Sequence, residues 1–213
     1  ELISDPRPDV ANGSDVLAVR FSGAGPKPDG DGSVTSCAGF GVSEAEQGWS
    51  IFYVGRSVAG DTELRCKYRG KTSWGADAIV GGVDSFQILY GLDTDVPLDG
   101  LPNLYVNASV VAALDDGLAL TGANEAEREL DLRAKTHWKR VASIRVGLVL
   151  HGERRVRVNA EPVVCDLFGP ADAEALGTVD PGTRLSEVDM PGSMRERERR
   201  MFSSTIMLRN PPR

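Results

Sequence analysis

The segment from Val141 to Leu150 limits the fold of this chain more than any other. Apolar side chains recur at alternate positions, so that Ile144, Val146, Leu148 and Leu150 would lie on one face. This alternation is typical of a β-strand and does not fit the period of an α-helix. We therefore predict that residues 141–150 form a central strand of a sheet.

Five other segments have strand patterns of the same kind. They are residues 15–21, 50–56, 63–68, 79–90 and 201–209. Residues 50–56 and 63–68 are predicted to form a hairpin, because the turn-forming residues 58–61 lie between them. Loops rich in Gly, Pro and Asp follow two of the strands, at 22–36 and 91–103.

Helix-forming sequence is confined to the middle of the chain. Residues 124–140 are rich in Glu, Ala, Leu, Lys and Arg and contain neither Gly nor Pro, which favours a helix. Residues 106–114 are ambiguous, although Asn107 is a suitable cap for a short helix there. The helices are too few for an all-helical fold.

Two segments have no periodic pattern. Residues 1–14 are predicted to be an extended lead-in, and residues 169–200 a long loop segment before the last strand. Together with the predicted strands and helices, they indicate a single α+β domain over residues 1–213. Antiparallel sheet with long loops should dominate this domain.

The charge of the chain argues against a nucleic-acid partner, since the net charge is −7. The run Arg195–Arg200 is locally basic, but positive and negative charges alternate within it. We interpret it as a solvated connector, with a contact strip for an acidic partner as the alternative. No apolar stretch is long enough for a membrane helix, and the chain begins at Glu1, so we expect it to be part of a longer protein.

The three cysteines permit at most one disulfide within the chain. Cys37 and Cys66 lie within one segment, whereas Cys165 is remote. Their flanks contain neither a CxxC motif nor a nearby histidine, which argues against zinc. We predict a Cys37–Cys66 disulfide, formed in an oxidising compartment, and a buried Cys165 that packs as a small core residue.

Motifs for catalysis are incomplete in this sequence. The phosphate-loop motif suggested by Gly70-Lys71-Thr72 needs an earlier glycine where Arg65 stands. There is no GxSxG motif for a serine nucleophile and no HExxH motif for a metalloprotease. His137 and His151 are predicted to be surface or helix-cap residues. We therefore predict a protein that is not an enzyme and has no cofactor.

Residues 93–100, here called the acidic loop, could offer oxygen ligands to a cation. Asp93, Asp95 and Asp99 are followed by Gly100, which resembles the start of a calcium loop. However, Val96 and Pro97 interrupt the pattern, and no bidentate glutamate follows at the expected spacing. We predict a turn built from Asx hydrogen bonds and no bound metal, with calcium as the weaker alternative.

The order of the strand motifs resembles that of the PilW-type minor pilins. Residues 83–95 resemble the central signature of the family, in which a strand leads into an Asp-rich turn. Residues 15–21, 138–150 and 199–210 are similar to its first, long central and last strands. Cys37 and Cys66 match a cysteine pair that family members commonly carry. The acidic loop departs from the Gly-Asp-Gly pattern of the family.

The resemblance implies a pilin-like fold and a structural role without catalysis. The expected partners are other minor pilins, the major pilin and a tip adhesin, with which the protein would form a complex that primes type IV pilus assembly. The expected location is the bacterial inner membrane and periplasm before assembly, and then the tip of the pilus. An apolar N-terminal anchor helix, absent from this chain, would hold the protein in the membrane. Partner contacts are expected in residues 22–49 and 169–200.

Two other functions fit the same sequence. A minor pseudopilin of type II secretion would share the fold. A secreted carbohydrate-binding or adhesive β module would need exposed aromatic side chains, for which Trp49, Trp74 and Trp138 are the candidates.

Overall fold

Strands dominate the computed structural model, which describes residues 10–70, 73–176 and 179–208. The strands of this part of the chain are β1 Leu17–Ser22, β2 Gln47–Arg56, β3 Thr62–Arg69, β4 Trp74–Gly81, β5 Val83–Leu92, β6 Leu104–Val106, β7 Val141–Arg155, β8 Val164–Asp166, β9 Arg184–Ser186 and β10 Arg197–Met207. Its helices are α1 Ala108–Asp116, α2 Glu125–Lys135, α3 Pro170–Leu176 and α4 Gly192–Arg195. The predicted α+β class with mainly antiparallel sheet is confirmed.

The chain divides into two compact units. The first contains residues up to Gln87 and Leu148–Phe202, and the second contains Ile88–Gly147 and the residues from Ser203 onward. Among the described residues, no helix is both long and apolar enough to cross a membrane. The single-domain organisation of residues 1–213 stays a prediction.

The first unit contains a four-stranded antiparallel sheet in the order β1-β2-β3-β4. Its centre is the predicted hairpin, in which Phe52 of β2 lies opposite Cys66 of β3. The buried side chain of Val54 belongs to the core of this unit. Residues 10–14 turn rather than extend, because Asn12 and the glycine after it have positive φ angles; residues 1–9 lie outside the described part.

The segment 79–90 is not the single strand that its apolar content predicts. The chain turns at Gly82, whose φ of +74° favours glycine, so β4 ends before it and β5 begins after it. The turn is held because the Gly82 amide donates to the Thr62 carbonyl. A β-carbon at Gly82 would lie 2.7 Å from the His151 carbonyl oxygen.

A second four-stranded sheet has the order β10-β7-β5-β6. Strand β7 confirms the predicted strand at residues 141–150 and continues to Arg155. Strand β10 begins at Arg197, earlier than the apolar pattern predicts. Its residues Phe202 and Ile206 are exposed, as is Leu208 directly after it. Arg209 of the predicted last strand lies outside the described residues.

The second unit has its own apolar core, formed by Leu92, Val106, Val111 and Val141. Helix α1 begins as predicted, because the Asn107 side chain accepts a hydrogen bond from the Val110 amide at 3.0 Å. Helix α2 ends at Lys135 rather than at residue 140. The chain continues as a 3₁₀ turn at residues 137–140, capped by Thr136.

The segment 169–200 is more ordered than the predicted long loop. It contains α3, α4, strand β9 paired with β8, and the beginning of β10. These elements are only a few residues long, so they leave no periodic pattern in the sequence.

Candidate functional site

The first unit contains a buried group of charged side chains, here called the charge cluster. Its members come from strands β5, β7 and β10, from the residues just after β7 and from the turn just after β9: Asp84, His151, Arg157, Glu187, Arg197 and Arg199. The side chains of Asp84, Glu187 and Arg199 are each 1% exposed. Buried charges are costly unless they are paired and hydrogen-bonded, so the geometry of the cluster matters for stability.

Asp84 is the acidic centre of one half of the cluster. Its Oδ1 accepts a hydrogen bond from the Thr62 hydroxyl at 2.8 Å and lies 2.9 Å from Nδ1 of His151. Its Oδ2 accepts a hydrogen bond from Nε of Arg199 at 2.9 Å. Burial alone would raise the pKa of Asp84, but the hydrogen bond to His151 and the charge of Arg199 outweigh it, and the pKa is lowered.

Glu187 is the acidic centre of the other half. Its Oε1 accepts hydrogen bonds from Nη1 of Arg157 at 2.7 Å and from Nη1 of Arg199 at 2.9 Å. Its Oε2 accepts one from the Val163 amide at 2.7 Å. Burial would raise the pKa of Glu187, but the hydrogen bonds from Val163 and the two arginines lower it overall. Arg199 therefore joins the two halves.

The contacts of His151 indicate the tautomer of its ring. Nη1 of Arg197 lies 2.7 Å from Nε2 of His151, and a guanidinium can only donate a hydrogen bond. Nε2 is therefore the acceptor, and Nδ1 carries the proton that is donated to Asp84. An Asp–His pair of this kind could activate a nucleophile through Nε2, but here Nε2 accepts a hydrogen bond from Arg197. The contacts of the cluster join strands β5, β7 and β10.

Two predictions about these residues were wrong. His151 is buried rather than a surface or cap residue. The run Arg195–Arg200 is not a solvated connector over its whole length, because Arg197–Arg200 begins β10 and places Arg199 inside. Alternation of charge in sequence cannot distinguish a solvated segment from a strand with one buried charged face.

The Cys37–Cys66 disulfide is present, as predicted, with the two Cα atoms 6.1 Å apart. It joins the long loop before β2 to the middle of β3. The Cys37 amide also donates to the Ser50 hydroxyl at 3.0 Å. Cys165 is buried, as predicted, and burial raises the pKa of its thiol. The loop at residues 22–49 is therefore fixed to the sheet at its centre.

Residues from 28–49 and 68–75 line a cleft of about 680 Å³, here called the aromatic cleft. Its wall includes the rings of Phe40 and Tyr68, whose centroids are 5.2 Å apart. Trp49 and charged residues of both signs also line it: Asp29, Glu46 and Arg69. The phosphate-loop interpretation of Gly70-Lys71-Thr72 cannot be followed here, because residues 71 and 72 lie outside the described part.

The three tryptophans that a carbohydrate-binding module would need are already in contact with other side chains. The pairs are Arg20 with Trp49, Lys67 with Trp74, and Tyr90 with Trp138. The two cations lie 5.7 Å and 5.5 Å from the ring centroids, and the third pair is edge-on at 4.8 Å. None of these three contacts joins one tryptophan ring to another.

The structure does bring the three carboxylates of the acidic loop together. Asp93, Asp95 and Asp99 each place an oxygen within 4.8 Å of the others. Hydrogen bonds within the loop account for this arrangement: Asp93 accepts from the amides of Asp95 and Gly100, and Asp99 accepts from the amide of Leu101. These include the predicted Asx bonds. The absence of a metal stays a prediction.

His137, the other histidine, lies in the second unit at the start of the 3₁₀ turn. Its amide and its Nδ1 both contact Oδ1 of Asp115, at 2.7 Å and 2.8 Å. The Thr136 hydroxyl donates to the other oxygen of Asp115. His137 thus belongs to the cap of the turn, in agreement with the prediction.

Sequence reasoning missed the charge cluster entirely. Its members are far apart in the chain, and each looks like an ordinary surface charge in its local sequence. The only usable signal was the apolar content of β5, in which Asp84 is followed by a run of buried residues. A lone carboxylate in such a strand requires a buried partner.

Comparison with known proteins identifies the family. The family model described as Type IV Pilus-assembly protein W matches residues 51–210 of the 213. Neither the curated proteins nor the solved structures contain a significant match. The match implies a role in type IV pilus assembly, association with the cell envelope or pilus, and interaction with other pilus components. Because it covers well over half of the chain, the protein belongs to the PilW family of type IV pilus-assembly proteins.

Proposed function

We propose that this protein is a minor pilin that joins other minor pilins and a tip adhesin in the complex that primes pilus assembly. In this role it acts in the periplasm, ends near the pilus tip and needs no catalysis. The observation that carries the proposal is the family match over residues 51–210. The match to a pilus family also favours the pilus over the type II secretion system. The disulfide agrees with an oxidising compartment such as the periplasm.

An assembly subunit needs exposed surfaces that are held in a defined shape, and the first unit offers two. The disulfide fixes the loop at residues 22–49 to β3. The segment 169–200 is fixed from inside by Glu187 and Arg199 of the charge cluster. Because both segments are anchored, binding a partner would cost little conformational entropy. We assign the partner contacts of the first unit to these two segments.

The apolar residues exposed on these segments are suitable for such contacts. Phe40 of the first segment is 56% exposed, and Val188 of the second is 58% exposed. In the second unit, Ile206 and Met207 at the end of β10 and Leu208 directly after it are exposed in succession. Exposed apolar side chains next to ordered backbone are a common feature of protein–protein interfaces.

Replacement of Val188 tests the proposal without deletion of a segment that holds the fold. Val188→Asp would place a charge in the partner interface and should weaken binding to the other minor pilins by about tenfold or more. Val58→Asp is the matched control, because Val58 is fully exposed on the hairpin turn, outside both segments. Binding would be measured by co-purification and biolayer interferometry, and piliation by electron microscopy.

Unchanged melting temperatures would show that both variants fold. Normal binding and normal piliation with Val188→Asp would remove the second segment from the interface. Normal piliation of cells that lack the gene altogether would contradict the proposed role.

A further inference from the structure

We propose that the aromatic cleft binds a neutral oligosaccharide through the rings of Phe40 and Tyr68 and the polar residues beside them. This inference concerns ligand binding by the first unit and does not depend on the proposed function. It would add an adhesive activity to a protein whose family is known for assembly.

The two rings form an ordered aromatic wall. The Phe40 and Tyr68 rings are tilted by 38° with centroids 5.2 Å apart, and Phe40 is 56% exposed. The Tyr68 hydroxyl donates a hydrogen bond to the Asp77 carboxylate at 2.8 Å, and this bond holds the Tyr68 ring against β4. Gly75 makes room for it, since a β-carbon there would lie 2.7 Å from the ring. An exposed aromatic face is a suitable surface for the C–H face of a sugar ring.

The turn that carries Phe40 is held on both sides. The Ser36 amide donates to the Phe40 carbonyl at 2.8 Å, and the Phe40 amide lies 3.3 Å from the Ser36 hydroxyl. Cys37, which follows Ser36, forms the disulfide with Cys66, and Cys66 lies two positions before Tyr68 on β3. The disulfide therefore links the turn that carries Phe40 to the strand that carries Tyr68. Such preorganisation reduces the entropic cost of binding.

Polar residues complete the cleft. Asp29, Ser36, Glu46, Gln47 and Ser73 are among the residues that line it. Carboxylates accept hydrogen bonds, hydroxyls both donate and accept, and an amide offers both kinds of group. Sugar hydroxyls require this mixture, and the cleft volume of about 680 Å³ lies in the range of small-ligand sites.

Other ligand classes fit the cleft less well. An extended peptide usually adds to a free strand edge, but five of the six strand residues that line the cleft belong to β2 and β3, which are paired on both sides; only Gly75 belongs to the edge strand β4. An anionic ligand would meet the carboxylates of Asp29 and Glu46 against the single guanidinium of Arg69 among the described lining residues, in a chain of net charge −7.

The test uses the chain with its disulfide intact and three named probes: maltotriose, cellotriose and triacetylchitotriose. Saturation-transfer NMR and calorimetric titration would detect binding at concentrations up to about 10 mM. Tetra-alanine serves as the peptide probe. We expect saturable binding of at least one trisaccharide and none of the peptide.

Phe40→Ala should weaken that binding by about tenfold, because it removes the exposed ring of the wall. Phe202→Ala is the matched control, since Phe202 is 54% exposed and lies on β10, outside the cleft. Unchanged melting and thiol titration would show that both variants retain the fold and the disulfide.

Three results would overturn the proposal. They are the absence of saturable binding for all three sugars, equal loss in the two Phe variants, and binding of tetra-alanine alone in a manner that depends on Phe40. Each can be separated from failure of the proposed function, because the assembly test uses Val188 and pilin partners.

Discussion

Arg199 is the residue whose replacement should reveal most about the stability of this protein. Its guanidinium is 1% exposed and donates to both buried carboxylates of the charge cluster, Asp84 and Glu187, each at 2.9 Å. Leucine at this position would fill part of the volume but leave both carboxylates without their shared cation. The replacement therefore isolates the contribution of the charge that joins the two halves.

The magnitude follows from the burial of all three groups. Removal of one partner from a buried ion pair costs about 3–5 kcal/mol, because an uncompensated charge is left inside. Asp84 keeps Thr62 and His151, and Glu187 keeps Arg157, so the cost should not exceed this range. Domains are typically stable by about 5–15 kcal/mol, so Arg199→Leu should remove a large share of the free energy of unfolding.

The neighbouring arginine supplies the matched control. The side chain of Arg200 is 74% exposed and pairs at 3.1 Å with Glu198, which is itself exposed. Exposed pairs contribute about 0–1 kcal/mol, so Arg200→Leu should have a small effect. Arg199→Lys keeps the charge but cannot donate to both carboxylates with the same geometry. Its loss of unfolding free energy should lie between those of Arg199→Leu and Arg200→Leu.

Urea unfolding followed by tryptophan fluorescence and far-UV circular dichroism would measure these differences. The two signals should change together if unfolding is two-state. If Arg199→Leu does not fold, the milder Arg199→Lys still provides a measurable loss. A cost below about 1 kcal/mol for Arg199→Leu, or a cost equal to that of Arg200→Leu, would refute the reasoning.

Three further predictions can be tested on the same protein. Because the pKa values of Asp84 and Glu187 are lowered on folding, their contribution to stability should be complete above about pH 4.5 and decline as the pH falls below it. Urea unfolding between pH 7 and pH 3 should show this decline in the free energy of unfolding, and a shallower decline for Asp84→Asn. The same dependence of the free energy on pH in both proteins would contradict the prediction. Replacement of Cys37 and Cys66 by serine removes the disulfide, which joins residues with a sequence separation of 29. It should lower the free energy of unfolding by about 3–4 kcal/mol. A loss below about 1 kcal/mol would show that other contacts hold the loop. Calorimetric titration of the acidic loop with calcium should give no heat and no thermal shift, and saturable heat that is lost on Asp95→Asn would establish a cation site.

Local sequence patterns predicted most of the elements of the fold. Residues 141–150 form β7 because their alternation reflects one buried face, and Asn107 caps α1 because its side-chain oxygen can accept from the following turn. The pattern failed at Gly82, where apolar residues continue across a turn that depends on a positive φ. It also failed at 169–200, where the elements are too short to repeat.

The candidate site was much less predictable than the fold. The disulfide was predicted because it depends on only three cysteines and their spacing. The aromatic cleft was not, because Phe40 and Tyr68 meet only after the loop folds back on β3. Of the acidic loop, the sequence predicted the hydrogen-bonded turn but could not tell whether the carboxylates converge.

The sequence by itself determined the class of the fold, the position of the central strand, the disulfide and the resemblance to PilW-type pilins. These properties depend on spacing along the chain, which is visible in one dimension. The tertiary structure alone decided that Arg199, at the end of what looks like a solvated charged run, is an interior residue. Its partners Asp84 and Glu187 are 115 and 12 positions away in the chain. A buried ion pair has the same local sequence as an exposed one, and only the packing of the strands determines which charges leave water.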